Sequence, residues 1–173
     1  SPAQVAAIEA ADFAKLTTSA IAALSNSQAA ALTPDQVAAM STAQVAAIGA
    51  AQLGNLGADQ IQALTTDQSA ALSGTQVAGL TTSQVVALET NDLAALSTSA
   101  IANLSNAQVA KLSADQLAAL TTEQFAKLSA TQIGAIDPNV IDALTTTQAQ
   151  NLSASQAYGL SAGQIANIQT VDL

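Results

Sequence analysis

Every eighth residue from position 8 is a large aliphatic side chain. The column runs Ile8, Leu16, Leu24, Leu32, Met40, Ile48 and on to Ile168, 21 positions without an insertion or deletion. Three residues earlier in each unit stands a second apolar column, Val5, Phe13, Ile21, Val37, Val45, Leu53 and Ile61 among them, which lapses at Ala29, Ser69, Ala149 and Ala157. The consensus octad is [Ser/Thr]-x-x-Gln-[Val/Ile/Leu]-Ala-x-Leu. We number the octads from the first, so that octad 1 is residues 1–8 and octad 12 is residues 89–96. A period held this strictly forbids most folds.

One continuous helix is among them. At about 100° per residue, eight residues overshoot two full turns by about 80°, so the apolar pair would wind around the helix and face nothing. Supercoiling absorbs only about 20° per heptad. The helix must therefore stop once per octad, and the first four positions spell the stop. Position 1 is Ser or Thr in 16 of 22 units, position 4 is Gln in 16, and 14 have both. Ser/Thr-x-x-Gln is a capping box, in which the hydroxyl accepts from the N3 amide and Gln reaches back to the N-cap amide. Thr33 with Gln36, Thr65 with Gln68, and Thr121 with Gln124 are representative caps. Pro2, Pro34 and Pro138 all stand at position 2, the N1 site that proline prefers, with Ser1, Thr33 and Asp137 as the caps before them. Eleven of the twelve acids fall at positions 1 to 4, Asp172 included, and all three lysines (Lys15, Lys111, Lys127) at position 7, as the helix dipole favours. The expectation is one helix of less than two turns per octad.

Helices this short are unstable alone, so they must stack. The predicted fold is all-α, a solenoid of short capped helices. Its core is formed by positions 5 and 8: Val45, Ile61 and Val85 in one column, and Leu16, Leu64, Leu88, Leu112 and Leu128 in the other. Phe13 and Phe125 read as core, and Tyr158, at the usually small position 6, as a variation of local packing or a contact point. Position 6 is Ala in 14 of 21 units and Gly at Gly54 and Gly134, which lets neighbouring helices come close. A longer recurrence lies above the octad. Residues 17–28 match 97–108 at nine of twelve places, and Glu9, Gly49, Glu89 and Gln169 break the position-1 rule at multiples of five octads. Five octads per superhelical turn is the expectation that follows.

Composition narrows function by exclusion. The 173 residues include no His, no Cys, no Arg and no Trp. That removes Ser-His-Asp and Cys-His catalysis and the usual zinc sites, leaving no catalytic residue, cofactor site or metal site to nominate. A formal charge of −9 with three lysines opposes a phosphate-tracking surface, so nucleic acid is not an expected partner. Apolar runs of four or five residues fall short of a membrane-inserted helix. The Gln column reads as capping and the acids as dipole matching. The sequons Asn103-Leu104-Ser105 and Asn151-Leu152-Ser153 fall out of the repeat itself.

Two resemblances bear on role. Leu32-Thr33-Pro34-Asp35-Gln36-Val37, together with residues 81–88, is similar to the opening of a TAL-effector repeat. That family's base-reading pair and Gly-Gly-Lys-Gln stretch do not follow, so the likeness covers a capped helix start. Across its whole length the chain resembles the octapeptide tracts of large secreted or surface-anchored bacterial proteins of the adhesin or RTX type. This resemblance implies a non-enzymatic spacer or adhesion scaffold outside the cell, its partners being neighbouring repeats or domains of the parent and a protein or glycan at the surface. Residues 1–173 are expected to form one array, open at both ends and part of a larger protein. The competing expectation is a binding module whose outer Thr/Ser/Ala rows recognise a protein, a glycan or ice.

Overall fold

The computed structural model describes residues 1–168. The acid at Asp172 and the octad opened by Gln169 lie outside them. Twenty α-helices of four to six residues and one 3-10 helix follow one another through the described residues, with no strand among them. This is the expected all-α solenoid. Each helix begins at position 2 after an N-cap in extended conformation, such as Thr33 at φ −83°, ψ 155°. It is left at position 8, where the chain is extended again, as at Met40 with φ −62°, ψ 145°. Two adjacent extended residues, Leu-type then Ser/Thr, make the corner, and no described residue has a positive φ. The corner therefore needs no glycine. A bond from the position-8 amide to the position-5 carbonyl, such as Ile8 N to Val5 O at 3.2 Å, tightens the exit.

Octad 18 (residues 137–144) departs from the expected capped α-helix. Asp137 does not cap a helix. Its carboxylate accepts from the Asn139 backbone amide at 2.9 Å and from Asn139 Nδ2 at 2.8 Å, turning the chain locally. Position 4 here is Val140, which cannot complete a capping box, and only the 3-10 helix Ile141–Ala143 forms. Ile141 is still fully buried, so the unit keeps its place in the array.

Helices pack against those three octads away: Ala10–Phe13 on Pro34–Ala39, Thr66–Ala70 on Thr90–Ala95, Ala130–Ala135 on Ala154–Gly159. The five-octad turn expected from the longer recurrence is thus corrected. Gly79 in octad 10 lies against Gly54 and Ala50 in octad 7, whereas the side chain of Gln76 in the same octad reaches Val45 and Ile48 in octad 6. A turn therefore takes between three and four octads. The physical reason is the inner column. A five-sided coil would leave an axis about 7 Å from each wall, beyond the reach of Ala, Ser or Val, given the 1.5 Å rise that sets each side's length. In the tighter coil these side chains meet. Val45, Ile61 and Val85 are fully buried, and Ala29, Ser69 and Ala149 at the same position are 2%, 0% and 4% exposed. With this closure, the ten-octad recurrence between residues 17–28 and 97–108 spans about three turns.

The outer core column is nearly as well covered. Leu64, Leu88, Leu112 and Leu128 are buried, while Leu16, in the first turn, is partly buried against the core. Phe13 and Phe125 lie inside the core, and Tyr158 stands 91% exposed. Small residues at position 6 mark the closest crossings, as expected. A Cβ on Gly54 would stand 2.7 Å from the Gly79 carbonyl, and one on Gly134 would stand 2.6 Å from the Gly159 carbonyl. The two crossings are ten octads apart, in octads 7 and 17.

Candidate functional site

The most elaborate chemistry in the molecule belongs to the glutamines. In octad 5, Thr33 Oγ1 accepts from the Gln36 backbone amide at 3.2 Å, and Gln36 Oε1 accepts from the Thr33 amide at 2.9 Å. Thr65 with Gln68 and Thr121 with Gln124 repeat this geometry. The other end of each amide does something the sequence did not announce. Gln36 Nε2 donates to the carbonyls of Val5 at 2.8 Å and Ile8 at 2.7 Å, 31 and 28 residues earlier. Gln76 does the same to Val45 and Ile48, both at 2.9 Å, and Gln164 to Ile133 at 2.7 Å and Ile136 at 2.8 Å.

One side chain thus closes two helix ends. Its oxygen satisfies an N-terminal amide of its own helix, and its two N–H groups satisfy C-terminal carbonyls of the helix four octads back. Both kinds of group are orphaned in any helix. Fourteen glutamines between Gln36 and Gln164 form this ladder, each buried to 8% exposure or less. Gln4 and Gln28, with no octad four earlier, make only the local cap. At Gly49 and Gly57 the N-cap has no side chain, and Gln52 and Gln60 still accept from its amide. The missed signal was the separation itself, since a contact between octads four apart is invisible in a one-octad consensus.

The ladder lapses where position 4 is not Gln. In octads 12 and 13 it is Asp92 and Ala100. Asp92 is 3% exposed, and its carboxylate accepts from Thr66 Oγ1 at 2.8 Å. Burial pushes its pKa above the ordinary value and the neighbouring charge of Glu89 adds to this, while the Thr66 bond opposes both. Its counterpart Asp12, in the first turn, is exposed and pairs with Lys15 at 2.9 Å. The hydroxyl of Ser69 is buried without a hydrogen-bond partner.

Three-octad stacking sorts the octads into three strips, which wind around the axis because a full turn takes more than three octads. Octads 9, 12, 15 and 18 stack in one, bringing together Asp67, Glu89, Asp92, Asp115, Asp137 and Asp142 with no lysine. Octads 1, 4, 7, 10, 13, 16 and 19 stack in another, whose side-chain charges are Glu123 and Lys127. Among the described residues no three acids are grouped to hold a metal ion. No helix among them is long and apolar enough to cross a membrane. The surface is mostly hydroxyls, small apolar groups and spaced carboxylates, with the large apolar side chains Val86, Tyr158 and Ile165 exposed among them.

No curated protein matches the sequence. A family model does, the ALTTAQ repeat, over residues 5–42, 37–74, 45–82 and 85–122. Successive matches are displaced by four, one and five octads, and together they cover 5–82 and 85–122. The motif in the family's name is seen in Ala63-Leu64-Thr65-Thr66-Asp67-Gln68 and Ala119-Leu120-Thr121-Thr122-Glu123-Gln124. In this fold those letters are a core leucine, a helix cap and a ladder glutamine. The chain is a tandem, all-helical repeat tract and belongs to the ALTTAQ repeat family.

Proposed function

We propose that the tract is a non-enzymatic, rigid spacer or adhesion scaffold within a larger extracellular bacterial protein. The observation that supports this most is the glutamine ladder. Each turn is fastened to the next by buried amide bonds at nearly every octad, so the array resists bending and its length scales with repeat number. The partners in this reading are flanking repeats or domains of the parent, and through them a protein or glycan at the cell surface. Deleting ten octads in frame from the parent protein and imaging it by electron microscopy tests the reading. About three turns at about 8–10 Å each should disappear, shortening the rod by about 25–30 Å. An unchanged distance between flanking domains would refute it.

A second reading is favoured by the strip that carries only Glu123 and Lys127 along its length. Rows of Thr, Ser and Ala with so little charge are suited to recognising a glycan, a protein or ice. Thermal hysteresis and glycan-array binding would be positive for such a module and silent for a spacer.

A further inference from the structure

Octads 12 and 13 break the ladder side by side, and one of the two replacements is ionisable. In the bridging octads the position-4 amide donates to carbonyls 28 and, in most, 31 residues earlier. Counted back from Asp92 these are Leu64 and Ile61; counted back from Ala100 they are Leu72 and Ser69. Alanine has no donor to give, and an ionised aspartate has only acceptors. We propose that Asp92 is a proton-operated rung: its protonated carboxyl acts as the donor that this octad lacks, and its ionised form leaves a two-octad seam open in the middle of the array.

The surroundings favour the proton. Asp92 is almost wholly buried, on the helix Thr90–Ala95, which packs between Thr66–Ala70 and Ala114–Ala119. The charged groups on these elements are Asp67 on the first neighbour, Asp115 on the second, and Glu89 at the N-cap of its own helix. The helix Ala58–Gln62, whose octad holds Ile61 and Leu64 at the rung separations, carries Asp59. No lysine lies on any of the four. Among the described residues the one donor that reaches the carboxylate is the Thr66 hydroxyl, and the Ser69 hydroxyl on the same helix is buried and unpartnered. Burial raises the Asp92 pKa above its ordinary 3.8, and the charge of Glu89 adds to this against the Thr66 bond.

The sign follows. The folded state holds this proton more tightly than the unfolded chain. The stabilisation is therefore full below the ordinary carboxylate pKa and is lost as pH rises through the raised one. In a solenoid, where each unit leans only on its neighbours, one weak seam is where local opening begins.

The repeat supplies its own test, because Asp92→Gln restores the consensus rung. Unfolding midpoints of the native chain and of Asp92→Gln are compared from about pH 7 down to about pH 3, through the ordinary carboxylate pKa. The variant should be the more stable at neutral pH, and the gap should narrow steadily on acidification. Amide exchange in residues 90–95, corrected for its intrinsic pH dependence, should slow in the native chain over the same range. Carboxyl NMR of the native chain gives a reading that no variant can spoil, with Asp92 expected to titrate above the ordinary carboxylate value. Parallel stability curves, or an Asp92 that titrates at or below the ordinary carboxylate value, would overturn the proposal. So would a gap that closes only on adding a metal cation, since an ion and not a proton would then fill the site.

Discussion

Gln28 and Gln76 occupy the same place in the octad, follow the same serine cap, and make the same capping box. Gln28 lies partly open to solvent, and its bonds end within three residues. Gln76 is 4% exposed and reaches Val45 and Ile48, 31 and 28 residues away. Nothing in the local sequence separates them. The difference is whether a helix lies four octads earlier to receive the amide. A residue chosen for local capping becomes, once the chain has coiled on itself, the tie between turns.

Substitutions that affect the two regions unequally test this contrast. The largest effect belongs to the core column. Leu88→Ala, in a residue 3% exposed, should cost about 2–5 kcal/mol in denaturant unfolding, and Leu16→Ala, in the partly covered first turn, clearly less. Gln76→Leu comes next. It leaves two buried carbonyls and an N-cap amide without partners, a loss of about 2–4 kcal/mol. Gln28→Leu loses only a solvent-exposed cap, about 0.5–1 kcal/mol. Equal losses at 28 and 76 would mean that the long bonds add nothing.

Backbone crossings give a smaller contrast. Gly134→Ala places a methyl 2.6 Å from the Gly159 carbonyl and should cost about 1–3 kcal/mol. A methyl on Gly49 meets only the tip of the Gln52 side chain at 3.1 Å, and Gly49→Ala should stay within about 0.5 kcal/mol by the same unfolding assay. Thr65→Ala removes the hydroxyl that accepts from the Gln68 amide at 3.3 Å and should cost about 1 kcal/mol. That loss should be similar wherever a capping hydroxyl is removed, because the bond is local.

These contrasts show how far the sequence could be read. Whatever repeats within one octad was legible: the helix starts at Thr33, Thr65 and Thr121, the inward Val45 and Ile61, the small position 6 at Gly54 and Gly134. Whatever depends on how octads meet was not. The closure of the turn is fixed by how tightly Val, Ile and Ala pack around the axis, and a one-dimensional period carries no such radius. Breaks spaced at multiples of five octads pointed to a five-octad turn, whereas the packing of Thr66–Ala70 on Thr90–Ala95, with the glutamine bonds four octads back, closes the coil between three and four. The second role of Gln36 and its equivalents follows from that closure. Octad 18 failed for a local reason: Asp137 turned to Asn139, and Val140 had no amide to reach back.

The glutamine ladder depends on the closure of the turn, and pulsed electron–electron distance measurement reads that closure. The chain has no cysteine, so two introduced ones carry the only spin labels. Asn103 and Lys127, both exposed and three octads apart, stand at the ends of helices packed against each other in neighbouring turns. Lys15 and Asn55, also exposed, are five octads apart. With a turn of between three and four octads, the first pair lies on adjacent coils and the second pair on opposite sides of the solenoid. A turn of that size gives a short distance for 103–127 and a longer one for 15–55. A short 15–55 distance with a long 103–127 distance would mean five octads to the turn, and would contradict both the closure and the glutamine ladder built on it.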